Sequence, residues 1–301
     1  MPEASALPIT PGALAAYGGG WDARLDVVLA RRAGRTVATR VAHRGPLRLQ
    51  KLLWPEGPEL AHLILLHPPS GVAAGDTLAF DLSLGEGAAA LLTTPGAGRW
   101  YRADTPASQA LRVDVGPGAR LEWLPQETIL HDGLAGAQTM TVDVADDALA
   151  IGAEVLVLGR RASGERLRHG HFRSRLDLRR GGRTLLVEDA RIVDPHDGLA
   201  GLGSAHVSAL FWVVSPKPLD DSHAAGCEEA VDRALGTTAA LRGWGADGTI
   251  AGASVIEPHL LAMRVVGRSP QTVRAAVTAA WAWVRPRLAG REAVVPRIWH
   301  T

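Results

Sequence analysis

Three carboxylates stand in segments otherwise built for a protein interior: Asp76 in GVAAGDTLAF, Glu154 in IGAEVLVLG and Glu188 in TLLVEDARIV. A charge on such a strand is costly unless it is paired or hydrated. One reading is a structural ion pair, with Arg160 or Arg191 as partner. The other is a polar interior passage, or a transient site for a hard or borderline cation that prefers oxygen donors. His169 and His171 are spaced to project from one face of a strand, as paired metal ligands do, but no third strong ligand is placed by spacing. They lie within an arginine run (Arg160, Arg161, Arg166, Arg168, Arg173, Arg175, Arg179, Arg180 and Arg183) opposed only by Glu165 and Asp177. Such a run reads as a solvated or partner-facing basic surface. RNA binding would call for interleaved aromatics, and Phe172 is the only one present. The stretch Leu219 to Asp232 is acidic, through Asp220, Asp221, Glu228, Glu229 and Asp232, so two complementary poles could meet protein partners.

Several common chemistries are excluded. Lys51 and Lys217 are the only lysines and neither follows a glycine, so there is no phosphate-binding GxxxxGK[ST] loop. No HExxH or GxSxG motif occurs. Gly243, Gly245 and Gly248 spell GxGxxG, but after a helix pattern and before a strand pattern, the reverse of a dinucleotide-binding unit. Cys227 is the sole cysteine, which removes internal disulfides and CxxC sites and fits a reducing cytoplasm.

The elements that would position these residues are mostly strands. Leu78, Phe80, Leu82 and Leu84 alternate with polar or small residues, and the same period of two recurs near Leu25–Leu29, Val37–Val41, Leu47–Leu53, Met140–Val144, Glu154–Leu158, Phe172–Leu178, Leu185–Val193 and Val207–Val214. Gly116-Pro117-Gly118, between Val115 and Leu121, reads as a hairpin turn. Strands without intervening helices predict a mainly β fold of stacked, solenoid-like antiparallel or mixed sheets, although no fixed-length repeat is present. Two helices are predicted in the C-terminal third. One spans about Asp221 to Leu241 with Ala225, Val231, Ala234, Leu235 and Leu241, and takes Cys227 as a small packing residue. The other spans about 269–288, starting at Ser269-Pro270 and carrying Val273, Val277, Trp281 and Val284 on one face before Pro286. Ile250–Ile256 and His259–Val266 form a final strand pair. Residues 1–20 read as a mobile tail and 21–301 as a single β-rich domain.

The 301 residues carry 32 basic and 31 acidic side chains, and 47% are hydrophobic, so the chain can bury a core and has no global field for nucleic acid or membranes. The N-terminus lacks a basic leader, and the uncharged stretch Gly198–Pro216 suits a buried strand better than a bilayer helix.

Five ordered strings are more particular than generic turns: LLHPPSGVAAGDTL (65–78), TTPGAGRWYR (93–102), LEWLPQETILHDG (121–133), LGRRASGE (158–165) and PRIWHT (296–301). Together they resemble the urease accessory protein D family, called H in some organisms. The resemblance implies a non-enzymatic nickel metallochaperone scaffold in the cytoplasm. Its implied partners are accessory protein F, the GTPase accessory protein G and apo-urease, and the accessory complex could dimerise. It also implies no tightly bound cofactor, only transient Ni²⁺, and neither a nucleic-acid nor a membrane partner. By position, Asp76, Glu154, Glu165 and Glu188 become the metal-relay or tunnel-lining carboxylates. Gln126, Glu127 and Asp132 either line that passage or hold a turn. Ser70 and Ala74 stand where the family commonly has glycine, and Gly96, Gly98, Arg99 and Trp100 vary its TTP segment. The alternatives, a β-rich metalloenzyme or an RNA-binding module built on the His169/His171 basic segment, leave the five strings unexplained.

Overall fold

The computed structural model describes residues 20–193, 202–236 and 248–300. Two sheets face each other. The seven-stranded first sheet has the spatial order β14 (Arg183–Val193), β13 (Gly170–Arg180), β11 (Leu134–Val144), β8 (Ala107–Val115), β5 (Thr77–Leu84), β1 (Asp22–Arg32) and β2 (Arg35–Arg44). The ten-stranded second sheet runs β16 (Ile250–Glu257), β17 (Leu260–Gly267), β15 (Val207–Val214), β12 (Leu149–Leu158), β9 (Arg120–Trp123), β6 (Ala89–Thr93), β4 (Leu60–Leu66) and β3 (Arg48–Leu49). Off that path, β10 (Thr128–Leu130) pairs with β12 and with β7 (Gly98–Trp100). Both sheets are mixed: the centres, β1-β5-β8-β11-β13 and β4-β6-β9-β12, are parallel, and the ends are antiparallel.

From β4 to β13 the chain alternates between the sheets, so each crossing adds one coil to a solenoid. The period of two explains the interior, because in-register parallel pairing puts inward residues of successive coils side by side. Val27, Leu82, Val113, Val142 and Leu178 make one such row and are all buried. Gly116-Pro117-Gly118 is not a hairpin. Both edges of β8 are already paired, to β5 and β11, so the turn carries the chain across to β9 in the opposite sheet. Three such crossings, Gly85–Ala88, Gly116–Ala119 and Ala145–Ala148, stack on one another. Each closes with its last N–H donating to the carbonyl of its first residue at 3.0 Å, and the Gly116 and Ala145 N–H groups donate to the coil before at 2.8 Å. A Cβ at Gly116 would lie 2.8 Å from the Leu84 carbonyl oxygen, so the stack has no room for one.

Helices α1 (Asp221–Leu235) and α2 (Pro270–Ala289) cover the outer face of the second sheet. That sheet is consequently buried on both sides, which accounts for the uncharged run through β15. In α1, Cys227, Val231 and Leu235 pack inward as predicted, while Ala225 and Ala234 face out and Ala224 takes the inward position. Burial pushes the Cys227 thiol up to about 12. The helix ends earlier than predicted, at Gly236 in the left-handed region; Leu241, Gly243 and Gly245 lie outside the described residues. At Gly226 a Cβ would collide with the Trp283 ring at 1.9 Å, so the two helices meet through a glycine. The strand predicted over Leu47–Leu53 is reduced to two residues plus a bridge from Leu53 to His62. The final antiparallel pair, β16 and β17, forms as predicted.

The second helix starts at the Ser269 cap, buries Val273, Val277, Trp281 and Val284, and runs through Pro286 to Ala289, within a residue of the predicted end. A proline inside a helix forfeits a backbone hydrogen bond, here to Ala282, at a cost of about 3 kcal/mol. Arg285, fully buried beside it, supplies the compensation. Its Nε donates to Glu122 Oε2 at 2.9 Å, and its two terminal nitrogens meet both oxygens of Glu56 at 2.7 and 2.9 Å. Trp281 Nε1 donates to the same Glu122 oxygen at 2.8 Å, His62 Nε2 lies 2.8 Å from Glu56, and Arg120 donates to the Ala289 carbonyl at 3.1 Å. Burial works to raise the Glu56 pKa, but the hydrogen bonds from His62 and Arg285 outweigh it and hold the carboxyl at about 2.

Arg285→Ala leaves two buried carboxylates without their counter-ion, and should cost about 3–5 kcal/mol in urea denaturation. Arg44→Ala, which breaks an exposed pair with Asp22, should cost less than about 1 kcal/mol.

Candidate functional site: a cavity between the sheets

Inward residues of the coils meet and fill the gap at one end of the sandwich but not at the other. There a cavity of about 350 Å³ remains between the sheets. Its walls are apolar, with Phe80, Leu111 and Met140 from the first sheet opposing Trp123 from the second. Its rim comes from three of the sequence strings: His67, Ser70 and Gly71 after β4, Thr94–Arg99 after β6, and Gln126 after β9. Ser70 has φ +62°, the left-handed conformation that explains a glycine preference at this position. The Nε2 atoms of His67 and Gln126 are buried with no hydrogen-bond partner among the described residues. Burial lowers the His67 pKa against the pull of Asp76, so the neutral imidazole, with a nitrogen lone pair, is favoured.

The floor of the cavity is polar for a reason of register. Gln109, Gln138 and Ser174 are in-register partners on β8, β11 and β13 and share one face. Glu154 reaches toward this row from β12. Gln138 Nε2 donates to Glu154 Oε1 and, at 3.0 Å, to Ser174 Oγ, while Ser174 Oγ donates to Glu154 Oε2 at 3.3 Å. Burial pushes the Glu154 pKa up to about 7; the Ser174 hydrogen bond opposes the shift and the Glu188 charge adds to it. Glu188 is the next carboxylate along. It faces Leu176, two residues beyond Ser174 on β13, and forms a two-pronged pair with Arg264 of β17 in the opposite sheet.

The sequence-predicted carboxylates therefore separate into two groups. Glu154 and Glu188 share the space between the sheets. Asp76 is buried at the start of β5, where its two oxygens accept the N–H groups of Trp21 (2.7 Å) and Ala73 (2.8 Å) and fasten the rim loop. Glu165 pairs with Arg160 and accepts the Asp132 N–H at 3.1 Å. Asp132 itself accepts from the Arg168 and His169 N–H groups at 2.7 and 2.8 Å and so holds a turn, Glu127 lies 3.9 Å from Arg274, and Gln126 lines the cavity.

The spacing of His169 and His171 does not place them on a shared strand face in a site. His169 precedes β13, both are exposed, and no group of three or more His, Cys, Asp or Glu positioned for a metal ion occurs among the described residues. Much of the basic run is neutralised locally. Arg173, Arg175 and Arg191 surround Asp189, Arg179 pairs with Asp177, Arg180 with Asp146 and Arg183 with Glu257. Sequence reasoning missed Gln138, Ser174 and Arg264. Gln138 carried a signal, as an amide at an inward position of a strand whose other inward residues are apolar.

This architecture defines a β-rich scaffold with a cavity between its sheets, apolar in its walls and polar at its floor, and with no helix among the described residues long and apolar enough to cross a membrane. Residues 22–300 match the family described as UreD urease accessory protein. A protein called urease accessory protein UreD in Azoarcus sp. (strain BH72) is 41% identical over 286 residues, covering 94% of this chain and 95% of its own. Another of that name in Delftia acidovorans is 40% identical over 318 residues and covers 99% of both, and one in Pseudomonas aeruginosa is 40% identical over 283 residues. The chain belongs to the UreD family of urease accessory proteins.

The folded protein holds the Glu154 proton up to about pH 7, against 4.5 for an ordinary glutamate, so it binds more protons than the unfolded chain in that window. Stability contributed by this site falls as pH rises through it. Glu154→Gln should raise stability by up to about 3 kcal/mol near pH 8 and leave it unchanged near pH 4, as read from urea denaturation at the two pH values.

Proposed function

We propose that the protein is a non-enzymatic urease maturation factor that acts in the cytoplasm as a scaffold and passes Ni²⁺ to apo-urease. Its partners in this reading are accessory protein F, the GTPase accessory protein G and the urease subunits. The observation that carries the reading is the inter-sheet cavity lined by Glu154, with Glu188 near enough for its charge to act on that carboxyl, in a chain of the UreD family. Nickel is cargo here. Oxygen donors hold Ni²⁺ weakly, so a carboxylate, an amide and a hydroxyl can pass the ion along where a cage of histidines and cysteines would retain it. His67 at the rim offers a neutral nitrogen for entry, Glu154 with Gln138 and Ser174 forms the inner station, and Glu188 is the next. Asp76 and Glu165 serve the route by holding the loops around it.

Two measurements check this. Co-expression with accessory proteins F and G and apo-urease should give a co-purifying assembly, and persistent failure to recover contact with protein F would refute the scaffold role. In that assembly, Glu154→Gln combined with Glu188→Gln should leave complex formation intact and lower the nickel content of urease several-fold by elemental analysis. Unchanged nickel would refute the carboxylate route.

A further inference from the structure

The reading of Glu154 and Glu188 as passage carboxylates leaves the role of the cation already at Glu188 unassigned, and the inference below rests on that reading. Glu154 on β12 pairs with Leu210 on β15, which pairs with Arg264 on β17. Glu154 and Arg264 therefore share one face of the second sheet, two strands or about 10 Å apart. Glu188 comes down between them from β14 in the first sheet. Arg264 Nη1 donates to Glu188 Oε1 at 2.8 Å and Nη2 donates to Oε2, so the guanidinium occupies both oxygens. This contact ties the edge strand of the first sheet to the second sheet at the side where the inter-sheet space would otherwise open.

The arginine has somewhere to go. Its cross-strand partner on β16 is Gly252, above which an added Cβ would meet nothing within 4 Å. The Arg264 side chain is 61% exposed against 27% for Glu188, so its release uncovers the carboxylate without unpacking a core. An exposed pair of this kind contributes at most about 1 kcal/mol, so it can be exchanged. Another inter-sheet pair on this side, Arg183 with Glu257, spans the turn end of β14.

We propose that Arg264 is the gate of the passage: a resident monovalent cation that closes the β14/β17 side, and that a divalent cation moving from Glu154 to Glu188 displaces toward Gly252. The gate sets selectivity by charge, since a divalent ion is attracted to the two carboxylates more strongly than the guanidinium it replaces.

Isothermal titration of the full chain with Ni²⁺ near pH 8 tests this without reference to urease. Wild type should bind weakly. Arg264→Gln should bind at least about tenfold more tightly, because Glu188 loses its guanidinium partner and both its oxygens become available beside Glu154. Arg264→Lys should stay close to wild type, and Glu188→Gln added to Arg264→Gln should abolish the gain. Circular dichroism confirms that each variant is folded, and Arg264→Met serves as a second neutral replacement. No gain in either neutral variant, or a gain that survives Glu188→Gln, overturns the gate. If those titrations fail while the Glu154/Glu188 double variant still starves urease of nickel, only the gate is lost. If the double variant leaves urease nickel unchanged, the passage reading itself falls.

Discussion

In-register parallel stacking is the constraint on which the rest of the molecule depends. Each coil places its inward side chains directly beside those of the coils before and after it, so neighbours along a row set one another's surroundings. The row through Val27, Leu82, Val113, Val142 and Leu178 is aliphatic and closes the sandwich. The row through Gln109, Gln138 and Ser174 is polar, and opposite it the gap is left unfilled. The cavity and the carboxylate that enters it are thus consequences of one register. A one-residue slip would turn every one of these side chains to the outer face.

A second constraint fastens the helices. Arg285 reaches from α2 through to Glu122 on β9 and Glu56 before β4, so three segments distant in sequence share one buried charge cluster. Breaking such a pair is far more costly than never having built it, because the remaining charge stays buried. The cluster makes the helical layer an integral part of the second sheet. It is separate from the cavity, so the anchoring and the proposed transport use different charges.

The same residue types end in different roles. Asp76, Glu154 and Glu188 all stand in apolar strings, yet Asp76 accepts two backbone N–H groups, Glu188 is paired with an arginine, and Glu154 has only neutral donors. Burial, opposed by the Ser174 hydrogen bond and reinforced by the Glu188 charge, gives Glu154 its raised pKa. Composition around the residue does not separate these cases. The segment flanking Glu154 gives no hint that Gln138, 16 residues earlier, and Ser174, 20 residues later, complete its surroundings.

The period of two, the Ser269-Pro270 helix start, the positions of the Gly-containing turns and the five family strings were legible in the sequence, because each is set by neighbours a few residues apart. They established a mainly β chain with two late helices and its family. Which strands pair, and whether Gly116-Pro117-Gly118 makes a hairpin or a crossing, was decided only in the tertiary structure, because alternation says which face a residue takes and nothing about which strand lies beside it. The regular crossings escaped notice as a repeat since the loops on the opposite side differ in length and spoil any fixed period. Continuation of α2 through Pro286 depended on carboxylates more than 150 residues away in the chain. Arg264 finds Glu188 for the same reason: a charge partner is chosen by the stacking of sheets, which no local pattern encodes.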